Sequence, residues 1–228
     1  MKEFIDYFIH KGGYVTALNG LLTTLQIAVL GLIIGILLGT LIAVIRVMPK
    51  YKRLPRILDA ICNVYVFIFR GIPMAVQLLF GYWVLLPALG ISISDATSVA
   101  VIMFGLNSAA YVSEIMRSGI QSVDIGQLEA ARALGMPFAM SMLKIVIPQS
   151  IKNILPTLGN EFIMLIKDTS VVYFISVIDL TNAFKQIGAS TYDYVIPYTF
   201  LALIYLVLVF GITMLIRLIE RRLKKNER

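Results

Sequence analysis

Charged residues interrupt this chain so rarely that the gaps between them define its elements. Residues 12–45 hold no Asp, Glu, Lys or Arg, and neither do 71–94, 96–113 or 194–216. A membrane-crossing helix needs roughly 20 mostly apolar residues. Four spans therefore read off directly, near 21–45, 60–87, 96–116 and 194–216. The second starts before Arg70, because 60–69 (AICNVYVFIF) is apolar as well. The region 145–178 is apolar on average but is interrupted by Glu161, Lys167 and Asp168 and by Pro148, Pro156 and Gly159. It reads as one broken span over about 153–178, with a re-entrant or peripheral segment as the other solution. Residues 1–20 are mixed and amphipathic, without the apolar stretch and small-residue cleavage site of a signal peptide. They suit a short helix on the outer membrane surface.

Composition narrows the class. The chain has 228 residues, 59% of them hydrophobic and 14% charged, with a mean hydropathy of +0.87. Soluble domains run nearer 25% charged, and one domain of this size could not hide so much apolar surface. A single cysteine excludes a disulfide framework, and a single histidine, His10, leaves no basis for a histidine triad or metal site.

The net charge of +7 is unevenly spread. Fifteen of the 20 basic residues lie in 46–56, 117–152 and 217–228. Loop 88–95 has none, and 179–193 has only Lys185 against Asp179 and Asp193. The excess of Lys and Arg on the cytoplasmic side then predicts five spans, N-terminus outside and C-terminus inside. The expected organisation is an extracytoplasmic segment 1–20, a membrane domain 21–216 and a basic cytoplasmic tail 217–228. The charge needs no nucleic acid as partner, since the basic residues lack interleaved aromatics.

The cytoplasmic stretch 117–152 is long for a connector. Asp124 followed by Gln127 is a helix start, the carboxylate capping a free N–H while Gln127 reaches back. Good helix formers follow over 125–134, and Gly135 and Pro137 end the helix. Leu128, Ala131 and Leu134 fall on one side, Glu129 and Arg132 on another. A helix this short is not stable alone in water. It must pack on its own membrane domain or in the groove of a partner.

Residues Glu129-Ala130-Ala131, then Gly135, then Ile147-Pro148 resemble the EAA signature of the membrane subunits of binding-protein-dependent ABC importers. Phe69-Arg70-Gly71-Ile72-Pro73 resembles an FRGTP-type segment, with Ile72 where many members have Thr. Ala110–Arg117 (AYVSEIMR) resembles the AYxxEixR segment, and Leu155–Phe162 with Lys167–Ser170 the LPxLxNE…KDTS stretch. Four matches in order, from residue 69 to 170, are similar to permeases of the polar amino acid subfamily. The resemblance implies an all-α, type I ABC importer fold in a bacterial plasma (inner) membrane. Glu129, Ala130, Ala131 and Gly135 would then belong to a coupling helix that docks into an ATP-binding subunit. It also implies a second permease subunit, identical or homologous, and an external amino-acid-binding protein. No G-x-x-x-x-G-K-[ST] pattern occurs. The chain is therefore expected to hold no cofactor of its own, ATP and Mg being bound by the partner ATPase.

Ionisable groups at membrane depth are costly and usually pair or line a cavity. Glu114 and Arg117 read as an i,i+3 ion pair. Lys167 and Asp168 point to different sides of a helix. Glu161 follows Pro156 and Gly159, where a broken helix would free backbone groups for a cavity. Its carboxylate suits the amino group or cationic side chain of an amino acid, or an ion pair with Lys167 or Arg70. Arg70 suits a substrate carboxylate or a tie to a neighbouring helix. Gln77, Asn107, Ser108 and Tyr111 complete the candidate substrate contacts, with helix–helix glue as the alternative for each. Gly31, Gly35 and Gly39 repeat every four residues and suit close packing, within the subunit or against a second one. The expected function is the permease of an ATP-driven importer of a polar amino acid, basic ones included, working by alternating access. The alternative is an ion-gradient-driven secondary carrier or channel, against which five spans and no visible inverted repeat count. The expectation is a transporter subunit, not an enzyme.

Overall fold

The computed structural model describes residues 2–48, 50–91 and 95–225. Met1, Pro49, 92–94 and 226–228, which belong to the segments 1–20, 46–56, 88–95 and 217–228 delimited above, lie outside the described residues. Helix α1 (Lys2–His10) is followed by α2 (Gly13–Val47), α3 (Arg53–Gly71), α4 (Met74–Phe80) and the short α5 (Leu86–Ala88). Then come α6 (Ala96–Gln121), α7 (Ile125–Ala133), α8 (Phe138–Ser141), α9 (Ile147–Asp168), α10 (Leu180–Thr191) and α11 (Val195–Lys225). Among the described residues α2, α6 and α11 are each long and apolar enough to cross a membrane, and α3 with Met74–Ala88 forms a fourth, bent unit.

Helix α2 starts earlier than the expected 21. Gly12 adopts φ 83, a left-handed conformation open to glycine, and the uncharged run continues as helix from Gly13. Residues 13–20 thus belong to the first long helix, and only α1 is a separate amphipathic piece, packed with Phe4 against α10. One face of α2 is small and buried: Ala17, Gly20, Thr24, Ala28, Gly31, Gly35, Gly39 and Ala43. Gly31 meets Phe104, Gly35 meets Ser108, and Gly39 meets Ala109 and Val112, all on α6. The glycine repeat is therefore a packing seam within the subunit, where close backbone approach substitutes for a hydrophobic driving force that lipid does not provide.

The second expected span, 60–87, is not straight. Pro73 has no N–H to donate and pushes Ile72 to an extended backbone, φ -100 and ψ 133. Helices α3 and α4 consequently meet at 109°. Two π-turns, Gly81–Leu85 and Met142–Val146, each run into a helix with proline in its first turn, Pro87 and Pro148.

The region expected to break at Pro156 and Gly159 does not. Helix α9 continues through both, with Pro156 inside it, and the break falls later, where Thr169–Ile175 tightens to a 3-10 turn ended by Ser176 at φ 65. A proline removes only one rung of the ladder, and packing holds the rest. Gly159 instead lets Ile216 of α11 approach, so that an added Cβ would lie 2.7 Å from its Cδ1. The core gathers Ile27, Leu78, Phe104, Ile166 and Val172 from five segments. Outside it large apolar side chains stand exposed, Leu37 by 68%, Phe67 by 80% and Phe210 by 64%. Water would not tolerate such a surface, but acyl chains do.

Candidate functional site

The elbow between α3 and α4 exposes backbone carbonyls, and a buried amide pair satisfies them. Gln77 Nε2 donates to Phe69 O at 2.7 Å and to Ile72 O at 2.6 Å. Asn107 Nδ2 donates to Phe69 O and to Gln77 Oε1, each at 3.2 Å. Tyr65 OH on α3 donates to Leu106 O on α6, which ties the elbow to that helix. These bonds are what let a broken helix exist away from water, where an orphaned carbonyl is costly.

Against the elbow lies a cavity of about 250 Å³ lined by Arg70, Gly71, Ile72, Pro73, Met74, Asn107, Tyr111, Glu161, Met164, Leu165 and Asp168. Each charged wall has a local cause. Arg70 is in the last turn of α3, and its guanidinium carbon stands 5.4 Å from the centroid of the Tyr111 ring, a cation–π arrangement. Asn107 and Tyr111 are four apart on α6, and Glu161, Leu165 and Asp168 are four and seven apart on α9, so each set shares a face. Glu161 is buried and accepts a 3.0 Å hydrogen bond from Ser108 Oγ. Among the described residues no ion pair joins Glu161 or Asp168 to Lys167 or Arg70.

The structure brings Arg70, Asn107, Tyr111 and Glu161 together at this cavity. It does not bring Gln77 or Ser108 to its surface. Gln77 is spent on the elbow carbonyls, and Ser108, fully buried, stands between Glu161 and Gly35. Asp168 is a wall residue that the candidate set lacked. Its signal was present in its spacing of seven from Glu161, two helical turns on one face. Lys167 turns the other way, into an apolar groove with Tyr198, Leu201 and Tyr205.

One turn past Tyr111 on α6, Glu114 is held by two arginines rather than one. Arg117 Nη2 donates at 2.8 Å, as the i,i+3 spacing predicts, and Arg46 from the end of α2 donates to the other oxygen. Helix α7 follows. Asp124 caps it through Gly126 N–H at 2.8 Å, and it ends at Leu134 and at Gly135, φ 82. Ala131 is 2% exposed and Leu128 half-buried. Leu134 does not share that face. The helix ends one residue before it, and the side chain is 85% exposed, as Ile125 is by 68%. Helix α7 thus both packs on its own domain and presents apolar ends, with Glu129 and Ala130 exposed beside them.

This arrangement is that of a membrane permease with a short surface helix, α7. The family described as "Binding-protein-dependent transport system inner membrane component" matches residues 31–225, and the chain belongs to it. It is a transporter subunit of the bacterial plasma membrane, not an enzyme. The chain is 41% identical over 210 residues to the arginine transport system permease protein ArtQ of Bacillus subtilis (strain 168), covering 92% of this chain and 93% of that one. It is 38% identical over 223 residues to a putative glutamine transport system permease protein GlnP of Rickettsia bellii, covering 98% and 99%. A solved amino acid ABC transporter with histidines superposes with a TM-score of 0.85 at 40% identity, over 95% of this chain and 98% of that one. The inward-facing MetNI methionine ABC transporter shares the fold, with a TM-score of 0.74 at 18% identity over 92% and 96%. The type I importer architecture is therefore established, and a self-sufficient carrier or channel is not favoured. Permeases of this family work with an ATPase and a binding protein.

Proposed function

We propose that this permease translocates a cationic amino acid and that the cavity at the α3–α4 elbow is its binding site. One observation carries the reading: Glu161 and Asp168 stand two turns apart on a single face of α9, with Arg70 as the cation on the α3 wall. An amino acid has one carboxylate and one ammonium, which Arg70 and Glu161 match. The second carboxylate, Asp168, leaves the site one negative charge in excess, which a basic side chain neutralises. Asn107 and Tyr111 orient the ligand between them. That relatives are named for arginine and glutamine transport supports the amino acid class.

In this reading an external amino-acid-binding protein delivers the ligand, and two permease subunits, identical or homologous, alternate between outward and inward openings. ATP and Mg²⁺ bind the partner ATPase, and α7 transmits its closure through Glu129, Ala130, Ala131 and Gly135. ATP shifts the equilibrium only so far as it favours one conformation over the other.

The test is equilibrium binding and uptake in liposomes that hold the permease with its ATPase and internal ATP. Arginine or lysine is expected to bind more tightly than glutamine, and glutamate not at all. Asp168→Asn should lower the preference for arginine over glutamine by about tenfold, and Glu161→Gln should weaken both. Unchanged selectivity in Asp168→Asn would remove it from the site.

A further inference from the structure

Two cavities meet where α2 gives way to the basic loop. The first, about 390 Å³, is polar and is lined by Arg46, Lys50, Asp59, Asn63, Arg117 and Gln121 together with Val47. The second, about 330 Å³, is apolar and includes Val44, Val47, Met48, Ile120 and Leu143. Val47 lines both, so the two adjoin across one side chain.

The charges do not cancel. Arg46 and Arg117 share the single carboxylate of Glu114, and Lys50 Nζ holds Asp59 at 2.6 Å. Three cations face two carboxylates, and Lys52 in the loop and Arg53 and Arg56 in the first turn of α3 follow with no acid before Asp59. The Lys50 side chain is 46% exposed and the Arg117 side chain 34%. Both retain N–H groups for a ligand while keeping their carboxylates, since an ammonium has three donors and a guanidinium five. The amides of Asn63 and Gln121 add further donors.

Depth sets the kind of ligand. Arg46 is the first charge after the uncharged run 12–45, so it marks where the hydrocarbon layer ends and the headgroup layer begins. A basic cavity at headgroup level beside an apolar groove on the hydrocarbon side matches a ligand with a phosphate at one end and a fatty chain at the other. A free anion would fill the first cavity and leave the second unused.

We propose that Arg46, Lys50 and Arg117 bind the phosphate of an anionic phospholipid, one acyl chain of which lies in the groove between Val44, Ile120 and Leu143. The site joins the ends of α2, α3 and α6 to the segment that carries α7, so the bound lipid braces the coupling region. This inference is independent of the substrate assigned to the elbow cavity.

The experiment titrates the full chain in mild detergent with phosphatidylglycerol or phosphatidylcholine and counts bound lipids by native mass spectrometry, with inorganic phosphate as a third arm. Phosphatidylglycerol should be retained well above phosphatidylcholine. Lys50→Gln should lower its retention about fivefold, and Lys50→Gln with Arg117→Gln by a further factor of about five. Lys50→Gln leaves the Glu114 cluster untouched, so its effect does not depend on how the double variant folds. Ala139→Trp, which fills the apolar groove, should weaken the lipid without changing any phosphate binding. Equal retention of the two lipids, or full retention in Lys50→Gln, overturns the proposal. So does a phosphate arm that competes fully while Ala139→Trp has no effect, which would mark a plain anion site.

Discussion

Gly35 couples the packing seam to the candidate site, and Gly35→Ala tests that coupling. A Cβ at this position would lie 2.5 Å from Ser108 Oγ, 2.7 Å from Ser108 Cβ and 3.2 Å from its backbone carbon. Distances this short cannot persist, so α2 and α6 must separate or Ser108 must rotate. Overpacking of a tight contact costs about 1–3 kcal/mol. Rotation of Ser108 also breaks its 3.0 Å bond to Glu161, and leaving a buried polar group without its partner costs about 1–3 kcal/mol. The two are alternatives in part, so the expected loss is about 2–4 kcal/mol. At about 2–4 °C per kcal/mol for a chain of this size, the midpoint should fall by roughly 4–16 °C. Gly211→Ala is the control, because nothing lies within 4 Å of its added Cβ. It should be neutral or slightly stabilising, given the better helix propensity of alanine. The assay is thermal unfolding of purified protein, with substrate affinity measured on the same samples. Ser108→Gly in the Gly35→Ala background should recover the packing part of the loss and none of the Glu161 bond. The reasoning fails if Gly35→Ala melts like Gly211→Ala, or if it loses stability with no change in affinity.

Three further outcomes follow from particular side chains. Gln77→Leu should destabilise the fold by about 2–4 kcal/mol, since it strands the Ile72 carbonyl and weakens the hold on that of Phe69; a thermal midpoint equal to wild type would show that the elbow does not need this amide. Glu129→Arg should abolish co-purification with the ATPase while leaving the thermal midpoint unchanged, because the side chain is exposed; normal association would exclude α7 as the coupling element. The Ser98 hydroxyl, with the N–H groups of Thr97 and Ser98, holds the Asp95 carboxyl below the usual carboxylate range. A lowered folded-state pKa gives stability that is complete above the ordinary value near ~3.9 and is lost as pH falls through the folded one. The midpoint of wild type should therefore exceed that of Asp95→Ala at neutral pH, and the gap should close as pH falls below the ordinary carboxylate value; a gap that stays constant through the acid range would refute the cap.

Much of the candidate site was visible in the order of residues. Arg70, Asn107, Tyr111 and Glu161 could be picked out because a polar group in an apolar run needs a reason, and all four line one cavity. Gln77 and Ser108 satisfied the same criterion for a different reason: one caps carbonyls freed by Pro73, the other props Glu161. Polarity in a span signals that a partner exists, not whether the partner is a ligand or the protein. Asp168 was legible through its spacing from Glu161, but in sequence it read only as a charge on a different side of the helix from Lys167.

The sequence by itself determined what depends on composition along one dimension. Uncharged runs set the long helices, proline and the residue before it set the elbow at Ile72–Pro73, and Asp124 and Gly135 set the ends of α7. Tertiary structure decided what depends on which faces meet. It carried α9 straight through Pro156 and Gly159, because contacts along a packed helix outweigh one missing rung. It assigned the glycine seam to α6 rather than to a second subunit, and it added Arg46 to Glu114 from 68 residues away. Such pairings follow from interhelical geometry, to which local propensity is blind.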